Sequence, residues 1–536
     1  MMYTLLLPLG ATLLAYLLYH ILQIVYADIK SPLKRLPGPK NGGFIVGNFQ
    51  QMTGDSTLTA QWRASFGPVF RYKTLFSRSQ LFVADLKALT HILAQSSVYQ
   101  KPPFLLANTE RTLGHGILSV EMEEHRRQRR ILNQAFGMAQ IRLLTDTFVH
   151  KALELRDLWS AQLAASGGQS RIDVSPWSRK LTLDIIGKAG FNYDFASLAP
   201  DERPNELNDA FTELLHSPRA RIQTGFRLAQ AMIPVLRLFP VPGQWTFARS
   251  TATMFRISKG IFLTSKAHTT AEEQKKEYSE GKRDLLSILL KANMSEDIGP
   301  SYRLTDEEVI AQIPTFLLAG HETTSTTLTW ALHALSLNPA AQSKLRAELS
   351  ADATDHPDMD QLNALPYLEN VVREVLRVHS PVIFTQRMAM CEDVLPLGSP
   401  VVDRDGRVHE SLRIPKGQMI HIPVQDVNRD ADIWGPDAAE FKPERWDNLP
   451  EAVRGIPGIW AHLLTFLAGP HHCIGFKFSL VETKAILYTL LREFEFAPAV
   501  PKGGIRATAF GFQRPYVAAT PELGSSLPLI VSKVGR

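Results

Sequence analysis

Apolar residues run from Tyr3 to Tyr26 with Pro8, His20 and Gln23 as the main interruptions. As a helix these 24 residues span about 36 Å, enough to cross a bilayer with some tilt. Lys30, Lys34, Arg35 and Lys40 follow, and no charged side chain precedes the segment. That asymmetry predicts a single-pass anchor over residues 1–35, with a catalytic domain over 36–536 on the cytosolic side. A cleaved signal peptide fits less well, because a basic n-region and a small-residue cleavage site are both missing. Two prolines around a glycine in Leu36-Pro37-Gly38-Pro39 then form a stiff joint that cannot continue a helix.

Beyond the joint the periodicity changes. Val69 to Phe76 and Gln80 to Val83 are aromatic and β-branched and are predicted as strands. Helical patterns dominate from Leu86 to Leu349, except for the charged stretch Ala271 to Arg283, which is predicted as a solvated connection. Thr305 and Glu308 have capping-box spacing and mark the start of a long central helix, with Pro314 about two turns inside it as a predicted kink. Strand and loop signals return after Pro381, among them the turn Asp403-Arg404-Asp405-Gly406. A last helix is predicted after Cys473, running to about Phe494. The expected fold is mainly α with a smaller β region, forming one catalytic unit.

An apolar content of 45% makes the chain globular. Lys and Arg (58) exceed Asp and Glu (53) by five, too weak a bias for a nucleic-acid partner, and recognition-helix and zinc-finger spacings are absent from the sequence. With only Cys391 and Cys473, a disulfide-stapled secreted scaffold is disfavoured and a reducing compartment fits better.

Chemistry concentrates around Cys473, in Phe466-Leu467-Ala468-Gly469-Pro470-His471-His472-Cys473-Ile474-Gly475. A thiolate that ligates iron needs a tight loop, backbone N–H groups aimed at sulfur, and a helix starting just beyond it. The segment offers glycines for the turn, an aromatic wall at Phe466 and a helical run after Gly475. Zinc binding by His471-His472-Cys473 is the weaker reading, because adjacent residues rarely ligate one metal and no second ligand pair lies nearby. Cys391 has no such setting and is read as structural or surface.

This decapeptide resembles the heme loop of the cytochrome P450 family, F-x-x-G-x-[RH]-x-C-x-G, at every fixed position. Glu374 and Arg377 at i, i+3 on a helix, followed by Phe441-Lys442-Pro443-Glu444-Arg445-Trp446, resemble two further family segments. Ala319-Gly320-His321-Glu322-Thr323-Thr324 is similar to the family's oxygen-binding helix; an H-E-x-x-H metalloprotease reading fails at Ser325. The order and separation of these segments agree with the family from about Leu36 to Phe512.

The resemblance implies a cytochrome P450 fold preceded by a transmembrane helix, with heme b held by Cys473. It implies a buried structural network of Glu374, Arg377 and Arg445. Thr323 would hydrogen-bond dioxygen and Glu322 would relay protons. The heme carboxylates would meet Arg129, His125 (where Trp is usual), Arg387 and His471, while Phe466 and Gly475 would shape the loop. Arg126, Arg127 and Arg130 with Lys477 would face an acidic electron donor. Phe104, Phe316, Ala319, Val382, Ile383, Phe384 and Phe510 are candidates for an apolar substrate pocket.

The function implied is oxygen insertion into an apolar substrate. Electrons would come from NADPH through an NADPH–cytochrome P450 reductase, with cytochrome b5 as a further donor, because the chain has no flavin or Rossmann motif. The segment from Val394 to Pro415 resembles filamentous-fungal members and points to a terpenoid of secondary metabolism. The apolar stretch from Gly225 to Trp245 and the anchor place the enzyme on the lipid bilayer of the endoplasmic reticulum. Competing readings are a reductase-independent isomerase or dehydratase, a fatty-acid or xenobiotic hydroxylase, and a non-catalytic heme or lipid-binding protein.

Overall fold

The computed structural model describes residues 26–199, 205–215, 239–275, 284–294, 302–351, 354–509 and 511–534. It also describes residue 299 and isolated positions between 11 and 23 and between 223 and 236. Among the described residues, no helix is long and apolar enough to cross a membrane. Much of the segment from Tyr3 to Tyr26 lies outside them. Its described part carries Tyr16, Tyr19, Gln23 and Tyr26, with Gln23 Nε2 donating to the Tyr19 hydroxyl at 2.7 Å. The helical run continues to Lys30, and Asp28 within it pairs with Arg71 at 3.3 Å and with Lys73. These described turns carry polar and charged groups, and none of them belongs to a helix long and apolar enough to cross a membrane. The expectations of a transmembrane helix over residues 1–35, a single-pass anchor in the endoplasmic reticulum and a lipid-bilayer partner are corrected accordingly. Within the apolar stretch 225–245, residues 228–229, 231–235 and 237–238 lie outside the described residues, as does all of 276–283.

The strands are β1 (Val69–Lys73), β2 (Ser79–Val83), β3 (Tyr99–Gln100), β4 (Gln169–Asp173), β5 (Thr385–Ala389), β6 (Asp393–Val402), β7 (Val408–Ile414), β8 (Met419–Ile422), β9 (Phe494–Pro498), β10 (Ile505–Ala507), β11 (Pro515–Val517) and β12 (Pro528–Lys533). The largest sheet has the order β1-β2-β8-β5-β3. Its β5 pairs antiparallel with β8, placing Arg387 opposite Ile420, and β3 pairs with β5 through Tyr99–Ala389 and Gln100–Met388. A second sheet places β12 between β4 and β9. The predicted strands match β1 and β2, except that the first ends at Lys73, where the chain turns through Phe76 with φ +55°.

The helices that position the site are α1 (Leu86–Ala94), α2 (Pro103–Leu113), α3 (Met122–Ala135), α4 (Met138–Ala165), α5 (Val174–Phe191), α6 (Asp306–Leu337), α7 (Pro366–Val378) and α8 (Phe476–Glu493). The capping box is present: Glu308 N–H donates to Thr305 Oγ1 at 3.2 Å, and Thr305 N–H to Glu308 Oε2 at 2.8 Å. α6 continues through Pro314 as one helix and packs against α5, α7 and α8. Apart from the stretch 318–323 it is buried on nearly every face, from Val309 and Ile313 to Trp330 and Leu335, so it forms the axis of the helical body.

Candidate functional site

The loop before α8 is held from several sides. Cys473 N–H donates to the Phe466 carbonyl at 3.0 Å, and Phe466, itself buried, meets Trp460 at 5.7 Å and Phe476 at 5.9 Å between ring centroids. Gly469 has φ +68°, and a Cβ there would stand 2.0 Å from the Leu93 carbonyl oxygen, so only glycine lets the loop lie against α1. Gly475 differs: its φ is −89°, and a Cβ would sit an ordinary 3.7 Å from Phe136. Phe136 in turn meets Phe316 of α6 edge-on at 5.2 Å.

Cys473 has the accessible area of an exposed residue. Yet enough protein surrounds it that burial pushes its thiol above the ordinary value, against the opposing pull of the Gly475 N–H and the Arg129 charge. Both observations hold together for a side chain that lines an interior space. Cys391 is also exposed.

Beside the loop lies a group of basic side chains. His471 Nε2 is 2.9 Å from Glu121 Oε2, and its ring packs at 4.1 Å on that of His125. Lys101 Nζ stands 3.5 Å from Glu121 Oε1. Arg387 is buried and donates to Thr385 Oγ1 at 3.1 Å and to its neighbour's carbonyl, that of Gln386, at 2.8 Å. Burial first, then the nearby charges of His471 and Lys101, push the His125 pKa down to about 3, so this residue is neutral at pH 7. Burial also brings Lys101 down to about 8, with Glu121 opposing and Arg387 adding to the shift. Arg129 is placed differently: Nη1 donates to the His472 carbonyl at 2.7 Å and Nη2 to His472 Nε2 at 2.8 Å, while His472 Nδ1 donates to the Gly469 carbonyl at 2.8 Å. Arg129 therefore fixes the cysteine loop. The sequence reading missed Lys101 and Glu121.

Midway along α6 the burial breaks. Ala319 is exposed and Leu318, Gly320 and Thr323 are half-buried, between turns that are otherwise largely buried. Gly320 serves packing as well, since a Cβ would meet Ile186 of α5 at 3.1 Å. Thr323 Oγ1 donates to the Ala319 carbonyl at 2.6 Å. Glu322 is wholly buried, and its Oε2 accepts from Arg514 Nε at 3.1 Å and Nη2 at 2.6 Å. Arg514 precedes β11 and was not singled out by sequence.

Glu374 and Arg377 are completely buried on α7. Arg377 donates to both Glu374 oxygens at 2.8 Å and also to the carbonyls of Asn428, Ala438 and Glu440. Arg445 reaches Glu374 Oε1 at 3.4 Å and Asp437 Oδ1 at 2.6 Å. The Lys442 N–H and Trp446 Nε1 complete the shell around the Glu374 carboxylate at 2.9 and 3.0 Å.

The pocket candidates separate. Ala319 and Val382 are exposed, and Phe104 and Ile383 are half-buried. Phe316 turns into the core against Phe136. Phe384 stacks on His421 at 4.6 Å, and Phe510 lies outside the described residues. Burial brings the His421 pKa down to about 3, and the Tyr72 hydroxyl lies 2.8 Å from its Nδ1. Its contribution to stability is therefore full above the ordinary histidine pKa of about 6.5 and is lost as pH falls from there towards 3. His421→Gln should reduce the proton uptake on acid unfolding by about one proton in that window, measured from denaturant midpoints against pH. An unchanged slope would contradict a buried neutral His421.

Comparison with known proteins covers the same span. The family model described as cytochrome P450 matches residues 37–512. Cytochrome P450 monooxygenase 205 of Postia placenta is 46% identical over 531 residues, covering 98% of this chain and 97% of that protein. Cytochrome P450 monooxygenase 128 of the same organism is 44% identical over 534 residues, with the same coverage. Cytochrome P450 monooxygenase claW of Ampulloclitocybe clavipes is 34% identical over 522 residues, 94% of each chain. These names specify no substrate, so the terpenoid preference read from the segment between Val394 and Pro415 is withdrawn together with the membrane-bound setting.

Proposed function

This chain belongs to the cytochrome P450 family and is a monooxygenase of that family; from there we propose that Cys473 is the residue whose thiolate would hold the iron of its cofactor. The family implies heme b, electrons derived from NADPH through a redox partner, and an apolar substrate. The observation that carries the assignment is the accessible Cys473 side chain in a loop fixed by the Phe466 carbonyl, the Gly469–Leu93 approach and Arg129. The residues around it fit the group. Lys101, Arg387, His125 and His471 offer charge and N–H donors to its two carboxylates, and Phe466 supplies an aromatic wall.

When bound, the heme supplies dioxygen activation and the transfer of one oxygen atom, the other leaving as water. The chain's own residues hold and protect that chemistry. Arg129 and the Gly475 N–H keep the cysteine loop closed around sulfur. Thr323 holds its hydroxyl proton on the Ala319 carbonyl and can turn it towards the accessible stretch of α6. Glu322 is the acid of the pair, its carboxylate anchored by Arg514. Glu374, Arg377 and Arg445 act on the fold alone. Electrons are assigned to an NADPH–cytochrome P450 reductase, with cytochrome b5 as a second donor, docking at Arg126, Arg130 and Lys477. Arg127 is bound to Glu308 and to the Arg303 carbonyl and contributes less to that face.

The test is incubation of the holoenzyme with reductase, NADPH, isotopically labelled dioxygen and a panel of apolar compounds. One labelled oxygen atom per product molecule is expected; product labelled only from water would sink the assignment. Thr323→Ala should keep the heme spectrum while lowering product per NADPH by roughly several-fold, with peroxide as the alternative outlet. Unchanged coupling would remove Thr323 from proton delivery.

A further inference from the structure

Glu121 places a carboxylate inside the cluster of cations described above. Its side chain is 8% exposed, with Oε2 2.9 Å from His471 Nε2 and Oε1 3.5 Å from Lys101 Nζ. Oε1 also accepts the Lys101 N–H at 3.2 Å. Arg387 lies within its field. Burial opposes the charge on Glu121, but His471 and Lys101 outweigh it and hold the carboxyl below its ordinary range.

The usual work of an acid at this position is not being done. Glu121 is the N-cap of α3, yet its side chain makes no capping bond. The next residue, Met122, has φ +53°, a left-handed conformation that side-chain-bearing residues rarely adopt, so the backbone is strained where it directs Glu121 inward. Nor is Glu121 needed to keep the cations in place. Lys101 Nζ also donates to the carbonyls of Leu118 at 2.8 Å and Val120 at 3.3 Å. Arg387 is held by Thr385 and Gln386, and His471 by the His125 ring.

We propose that Glu121 is a built-in competitor for the heme carboxylates: it offsets one positive charge of the Lys101–Arg387 cluster and so makes the cofactor easier to release. The inference rests on the reading that this cluster receives those carboxylates. A carboxylate within a few ångströms of another, in a partly buried site, weakens the retention of the second by roughly tenfold or more.

The experiment follows ferric heme leaving the holoenzyme for excess apomyoglobin, read by absorbance, in the wild type, Glu121→Gln and Glu121→Asp. Glu121→Gln keeps the shape without the charge and should release heme roughly tenfold more slowly. Glu121→Asp keeps the charge and should stay within about twofold of the wild type. Faster release from Glu121→Gln would show that the carboxylate builds the cluster, and equal release that it exerts no competition; either overturns the proposal. Equal slowing in Glu121→Asp would overturn the charge argument. Loading with heme dimethyl ester separates the premise from the inference. With the ester, the advantage of Glu121→Gln should vanish. If the wild type retains the ester as well as heme itself, the cluster does not receive carboxylates, and the assignment of those residues fails instead.

Discussion

Cys473→Ser is expected to abolish the thiolate-type spectrum of the reduced carbon monoxide complex completely. A serine hydroxyl has neither the acidity nor the softness to replace a thiolate on iron. The loop holds no substitute. Cys391 is the only other cysteine in the sequence and lies on another, exposed segment. His472, adjacent to the ligand, is engaged at both ring nitrogens by the Gly469 carbonyl and Arg129. The fold should persist, because the loop is fixed through the Phe466 carbonyl, the Gly469–Leu93 approach and Arg129 and not through sulfur. The measurement is the reduced-plus-carbon-monoxide difference spectrum beside the far-ultraviolet circular dichroism of the same sample. A surviving thiolate-type band in folded Cys473→Ser would reject the ligand assignment.

Glu374→Ala should be the most damaging substitution for stability. It leaves the wholly buried Arg377 without its anion and strands the Trp446 Nε1 donor and the Lys442 N–H. Removing one partner from such a network costs about 3–5 kcal/mol, because an uncompensated charge stays in a low-dielectric interior. Arg445→Met should cost less than Arg377→Met. Arg445 also leans on Asp437, which is partly solvated, whereas every Arg377 donor is satisfied inside the core. Urea unfolding of the three variants gives the ranking directly. A Glu374→Ala loss below about 1 kcal/mol would contradict a buried ionic network.

What the sequence made legible was local. The capping box Thr305–Glu308, strands β1 and β2, and the helix beginning just past Gly475 each depend on residues only a few positions apart. The missed residues are brought together by tertiary pairing. Lys101 reaches the cysteine loop because the two-residue strand β3 pairs with β5, close to Arg387, and a pairing that short has no periodicity to read. Glu121 looked like an ordinary acid at a helix start, and only its failure to cap reveals the inward turn. The packing of Phe316 on Phe136 was hidden for another reason. α6 is buried on nearly every face, so an apolar residue on it carries no signal separating core from cavity. The anchor reading counted the tyrosines of Tyr3 to Tyr26 as apolar, whereas the Tyr19 hydroxyl accepts a hydrogen bond from Gln23.

The second sheet bears on synthesis on the ribosome. Its central strand, β12, spans Pro528–Lys533, while its edges β4 and β9 begin at Gln169 and Phe494. β4 is thus made more than three hundred residues before the strand that closes its hydrogen bonds. At about 5–20 residues per second it waits for tens of seconds as an open edge, available to a chaperone or to a second nascent chain. The native sheet is sealed only once Lys533 has been translated and has left the exit tunnel, so β4 depends for its closure on a strand that emerges long after it.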